Sequence, residues 1–149
     1  MSTQRLSVYA VDPDAYSGML AIEKYIHAGD LAPTIIHLLK IRASQINGCA
    51  YCLDMHAAEA RKDGVVQRRL DVLSAWREAP SWFSEAEQAV LELTEQVTQI
   101  GQGGVSDEVW ARVGRSYNEG QVVRLLMAIG AINVWNRLAI ATHQELPAL

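Results

Sequence analysis

Ile46-Asn47-Gly48-Cys49-Ala50-Tyr51-Cys52-Leu53-Asp54-Met55-His56 is the stretch on which the reading of this chain turns. Before it, a broad apolar pattern opens at Pro33 and runs through Ile35, Ile36, Leu38, Leu39, Ile41 and Ile46. Asn47-Gly48 is a breaker pair and ends that helix. A new helix begins near Cys49, so the stretch predicts two antiparallel helices turning at Asn47-Gly48. It holds the only two cysteines, three apart, with His56 four residues after the second. Residues three and four apart share one helix face. Cys49, Cys52 and His56 therefore form one stripe of two thiols and a base, the equipment for dithiol redox chemistry.

Outward from this hairpin the chain reads as helix after helix. Asp12-Pro13-Asp14 starts one that stops at Gly29. The helix from Cys49 ends at Gly64, and a further helix is expected over Val65 to Trp76, closed by Pro80. Ser84-Glu85-Ala86-Glu87 is a capping box for a helix reaching about Ile100. Ser106 caps a short helix, and a long one covers roughly Glu119 to His143. No strand pattern, repeat or linker interrupts this order. The expectation is a single all-α domain over residues 1–149, with short connections as in compact helical bundles.

Composition narrows the function. Half of the 149 residues are hydrophobic and 20% are charged, which suits one domain with a sizeable core. The net charge of -4 and the lack of a basic stripe argue against a nucleic-acid surface. No apolar run is expected to reach spanning length, and the N-terminus lacks a signal-peptide pattern. These readings predict a soluble, cytoplasmic protein without a membrane partner. Two cysteines in such a protein point to redox, catalytic or metal chemistry before a structural staple. The second and last long helices are apolar on more than one face, so self-association is expected.

A thiol reacts as its thiolate. The helix start lowers the cost of an anion at Cys49 or Cys52, and His56 lies one turn after Cys52 to take its proton. The reaction this supports is peroxide reduction. One thiolate attacks the O–O bond, the resulting sulfenic acid condenses with the second cysteine, and an external dithiol reopens the disulfide. The His56 spacing assigns Cys52 as the attacking sulfur and Cys49 as the resolving one; the helix dipole alone favours Cys49. His37 lies about 15 Å down its helix from the turn and His56 about 10 Å down the next, so the two can be neighbours. A proton line from Cys52 through His56 to His37 is expected. Zinc on Cys49, Cys52, His56 and His37 is the metal alternative. Cys49 and His56 stand about 10 Å apart along a continuous helix, which counts against a shared ion unless the helix starts after Cys52.

The stretch Lys40 to His56, together with Ala131-Ile132-Asn133-Val134-Trp135-Asn136-Arg137-Leu138-Ala139-Ile140, resembles the AhpD-like alkylhydroperoxidases of the carboxymuconolactone decarboxylase superfamily. The resemblance implies an all-helical fold and homo-oligomers, often trimers or hexamers. It implies peroxidase activity through the cysteine pair, with no cofactor, metal or haem, and recharging by lipoyl-bearing dithiols. The family's two cysteines and histidine carry over onto Cys49, Cys52 and His56, with the second cysteine attacking peroxide. The family's relay glutamate, twelve positions before the first cysteine, is His37 here. Glu23, Glu59 and Glu119 are the candidates to stand in for it.

Three other readings share these residues: a non-enzymatic dithiol sensor or regulator, a metal-binding module, and a decarboxylase-like enzyme that would not need the cysteines. Tyr51 and the four tryptophans, Trp76, Trp82, Trp110 and Trp135, read as packing or interface residues. His27 and His143, at predicted helix ends, are assigned no chemistry.

Overall fold

The computed structural model describes residues 4–149, and among them there are helices and no strands. The order is α1 (Val8–Val11), α2 (Pro13–His27), α3 (Pro33–Asn47), α4 (Ala50–Lys62), α5 (Gln67–Asp71), α6 (Glu85–Thr98), α7 (Asp107–Ser116) and α8 (Glu119–Thr142). The helix starts follow the capping residues. Asp12 accepts from the Ala15 N–H, Ser84 and Glu87 form the capping box, and Ser106 accepts from the Val109 N–H. Asn118 and Gln121 form a second capping box that opens α8.

α3 is the central helix. Every residue from Ile35 to Ile41 is buried, because α4, α6 and α8 pack around it. This is why its pattern is apolar all round rather than on one stripe. Each fully buried Leu or Ile here stabilises the fold by about 1.5–3 kcal/mol relative to exposure. α8 lays Val122, Leu125, Ile129 and Ile132 on the core and leaves Val123, Met127, Val134 and Ile140 on the surface.

The α3–α4 turn forms as the sequence predicts. Gly48 adopts φ +71°, a left-handed conformation that favours glycine. The Cys49 N–H then returns to the Ser44 carbonyl at 3.0 Å. Cys49 is thereby fixed as the residue that caps α4.

Three expectations need correction. The segment from Val65 to Trp76 is not one helix: α5 covers Gln67–Asp71, and a 3₁₀ segment follows over Leu73–Glu78. The buried residues Leu70, Leu73 and Trp76 recur every three positions, which matches three residues per turn and not 3.6. The short α1, capped by Ser7, was not expected. Finally, α8 spans 24 residues and is by length and composition long enough to cross a membrane; 39% of its most apolar window is buried in the fold. Arg124, Asn133, Asn136 and Arg137 interrupt its apolar run and conceal that length in the sequence.

Candidate functional site

A cavity of about 240 Å³ lies between α2, α3, α4 and the C-terminal half of α8. Each helix contributes a stripe. From α2 come Tyr16, Leu20, Glu23 and His27, spaced four, three and four apart on one face. From α4 come Cys52, Met55, His56 and Glu59, and from α8 come Trp135 and Ala139. α3 contributes Lys40 alone.

Cys49 and Cys52 are joined as a disulfide, with their Cα atoms 5.3 Å apart. Cys49 Sγ also accepts the Cys52 N–H at 3.3 Å, so it acts as the helix cap. Both cysteines are buried, but only Cys52 lines this cavity.

His56 is 4% exposed. Its Nδ1 lies 3.0 Å from Glu59 Oε2. A carboxylate accepts, so Nδ1 carries the proton and Nε2 holds the free lone pair. Nε2 is buried and has no hydrogen-bond partner among the described residues. Burial holds the imidazole below its ordinary pKa and the Lys40 charge adds to this, while Glu59 and Glu23 oppose it. The ring is therefore a neutral base at pH 7.

Lys40, 4% exposed, places Nζ 2.5 Å from Glu23 Oε2. The other Glu23 oxygen accepts from Trp135 Nε1 at 3.0 Å, and His27 Nε2 stands 3.4 Å from Oε2. Burial pushes the Glu23 carboxyl up, but the Lys40 charge and the hydrogen bonds from Lys40 and Trp135 outweigh it and hold the group below its ordinary value. Glu23 is an anion locked into the cavity wall.

The structure brings Cys49, Cys52 and His56 together and leaves His37 outside the cavity lining. His37 Nε2 lies 2.7 Å from Asp63 Oδ2, at the far end of α4. The expected His56–His37 contact is corrected: His56 pairs with Glu59 instead. The register of α3 against α4 sets this, because His56 lies on α4 between the hairpin turn and Asp63, the partner of His37. The four proposed zinc ligands do not converge, since the two sulfurs bond each other and His37 is held by Asp63.

Of the stand-in acids, Glu59 holds His56, Glu23 lines the cavity, and Glu119 lies at the start of α8 in a separate groove. The sequence reading missed Lys40, Tyr16, Met55 and the role of Trp135. A single lysine inside the apolar run of α3 and the spacing of residues 16, 20, 23 and 27 were the available signals. His27, assigned no chemistry, also reaches the cavity.

The model of the carboxymuconolactone decarboxylase family matches residues 13–96, more than half of the chain. The chain belongs to this family. The uncharacterized protein YdfG of Bacillus subtilis (strain 168) is 43% identical over 139 residues, 93% of this chain and 94% of its own. A protein of unknown function from Agrobacterium tumefaciens, proposed to be the antioxidant defence protein AhpD, shares the fold with a TM-score of 0.94. It is 36% identical, and the match covers 99% of this chain and all of that one. The debrominase Bmp8 matches with a TM-score of 0.82 at 18% identity, over 93% of this chain and 74% of its own. That last likeness shows the fold alone. The matched family segment spans α2 to most of α6, and so includes Glu23, Lys40, both cysteines and His56.

Proposed function

We propose that this AhpD-like protein is a thiol-dependent hydroperoxide reductase working through a Cys49/Cys52 dithiol–disulfide cycle. One observation carries the reading: Cys52 shares a cavity with His56, whose buried Nε2 lone pair is unengaged.

In the reduced protein, neutral His56 takes the Cys52 proton. The Cys52 thiolate attacks the outer oxygen of ROOH, an S–O bond forms, the O–O bond breaks, and the imidazolium returns its proton to the leaving alkoxide. The Cys49 thiol then attacks the sulfenic sulfur, forming the S–S bond and releasing water. Two thiols supply the two electrons. An external dithiol restores them, and no cofactor enters the cycle.

Glu59, half exposed, connects His56 to solvent and replaces His37 in the proton line. Tyr16, Leu20, Tyr51, Met55 and Trp135 give the cavity an apolar and aromatic wall, which favours an organic hydroperoxide over hydrogen peroxide. The apolar residues that α8 leaves exposed, Val123, Met127 and Val134, support self-association.

The test is consumption of cumene hydroperoxide with dihydrolipoamide as electron source. The native protein is expected to turn over many equivalents, Cys52→Ser none, and His56→Ala about 10²–10⁴-fold fewer per unit time. Consumption of a single equivalent would instead favour the sensor reading. An activity indifferent to loss of both cysteines would favour a decarboxylase-like enzyme.

A further inference from the structure

The two disulfide-bonded cysteines line different cavities. Cys52 lines the cavity described above, and Cys49 does not. Cys49 lines a second cleft of about 180 Å³, which Cys52 does not reach. Gly48 and Ala50 form one side of that cleft, and Ile140, His143 and Leu146 form the other. Tyr51, Ala139 and Gln144 line both spaces and form the partition between them.

We propose that the second cleft is the reductant's entrance: a small dithiol, or a dithiol carried on a narrow arm, attacks Cys49 there while peroxide meets Cys52 on the opposite side. This rests on the dithiol cycle proposed above. Thiolate attack on a disulfide proceeds through a mixed disulfide, and the entering, central and leaving sulfurs lie in line. An attacker at Cys49 must therefore approach from the side away from Cys52, and the second cleft is the space that Cys49 lines and Cys52 does not.

The two linings differ in polarity. The first cavity carries Glu23, Glu59, Lys40 and two histidines, with Lys40 paired to Glu23. Among the described residues, the second cleft is lined by no carboxylate. Its size admits a slender chain and excludes a folded surface.

The electrons balance. The reductant's first thiolate bonds Cys49 Sγ, the Cys49–Cys52 bond breaks, and Cys52 leaves as the thiolate. It emerges into the cavity lined by Lys40 and His56, already placed for the next peroxide. The reductant's second thiol then attacks its own sulfur in the mixed disulfide, closes a cyclic disulfide and releases Cys49, which takes up the proton. His143, Gln144 and Leu146, beyond the end of α8, line the cleft.

Two variants separate the entrances. Ile140→Trp fills the second cleft from a surface position, and Leu20→Trp fills the first. Each is measured in two half-reactions: oxidation of the reduced protein by cumene hydroperoxide, and reduction of the oxidised protein by dihydrolipoamide. Ile140→Trp is expected to slow reduction by at least about tenfold and leave oxidation unchanged, with Leu20→Trp doing the reverse. Independently, oxidised native protein treated with 2-mercaptoethanol and trapped with N-ethylmaleimide should carry the mercaptoethanol on Cys49 and the maleimide on Cys52 by tandem mass spectrometry. Unchanged reduction in Ile140→Trp, or the reverse labelling, overturns the second entrance. A reduced native protein that does not react with peroxide overturns the proposed function instead, while the reduction and labelling arms still decide which sulfur the reductant meets.

Discussion

His56 and Glu59 are joined at 3.0 Å through Nδ1, and this contact leaves the opposite ring nitrogen, Nε2, as a buried lone pair in the cavity of Cys52. The two residues stand three apart on α4, so the helix itself sets the tautomer. Glu59 raises the imidazole pKa against burial and Lys40. Glu59→Ala is therefore expected to lower the His56 pKa further and to free Nδ1. Single-turnover oxidation by cumene hydroperoxide should slow by about tenfold, at the lower edge of general-base effects, and its acid limb should move to lower pH. A pH–rate profile that keeps its limb in place would show that Glu59 does not act through His56.

Lys40 and Glu23 form an ion pair inside the fold, and breaking it from one side has a large cost. Lys40→Met leaves the partly buried Glu23 carboxylate with Trp135 and His27 as its partners among the described residues. The expected loss is about 3 kcal/mol, at the lower edge of the range for a broken buried pair, because Glu23 is partly exposed and keeps two partners. Lys40→Met combined with Glu23→Leu should recover most of it. Urea unfolding of the two single variants and the double variant gives the cycle. In Lys40→Met the His56 pKa should rise, since Lys40 lowers it in the native protein.

The response to acid follows from His56 with a definite sign. The unfolded chain protonates this imidazole around its ordinary value of 6.5, and the folded chain does so only at lower pH. Below 6.5 the unfolded state binds more protons, so stability is full above that value and declines as pH falls toward the lowered folded value. Glu23 and Glu95, both held below 4.5, add a second loss in more acidic solution. His56→Gln should remove the first decline and keep the second. Denaturation midpoints measured from pH 7.5 down to 3.5 would reveal it, and an unchanged profile above pH 5 would exclude His56 as the source.

The parts of this site that follow from spacing along one helix were legible in the sequence. Gly48 had to end α3, Cys49 had to begin α4, and Cys52 and His56 had to share a face. The missing parts depend on how helices register against each other. His37 sits only one turn from Lys40 on α3, yet its partner is Asp63 and not His56. No local rule fixes which turn of α4 meets which turn of α3. Glu23 and Trp135 lie 112 positions apart and meet only because α2 and α8 pack together. A sequence pattern can mark Glu23 as part of an α2 stripe but cannot name what that stripe faces.

His37 offers a test of the revised proton line. It lies outside the cavity lining, paired with Asp63 at 2.7 Å. His37→Gln should retain peroxide turnover within about twofold, since it removes no group that acts as acid or base on the reacting atoms. Its pH–rate profile should superimpose on the native one. A shifted profile, or a loss as large as that of His56→Ala, would restore His37 to the relay.

Asn136 ties α8 to the chain just before the disulfide. It is fully buried, donates through Nδ2 to Ser44 Oγ at 3.0 Å, and accepts from Asn47 Nδ2 at 2.9 Å. Ser44 in turn donates its hydroxyl to the Lys40 carbonyl, and its own carbonyl receives the Cys49 N–H. Asn136→Ala removes one of the two partners of Ser44 Oγ, which keeps the Lys40 carbonyl, and of Asn47 Nδ2, which keeps Asn133 Oδ1, and the expected cost is about 1–3 kcal/mol. Because the same atoms anchor the turn that carries Cys49, the variant should also change the midpoint of disulfide reduction in a dihydrolipoamide–lipoamide redox buffer. Ser44→Ala removes a partner of the same Asn136 amide and should produce a change in the same direction. A thermal shift with no accompanying redox shift in either variant would confine the network to a packing role.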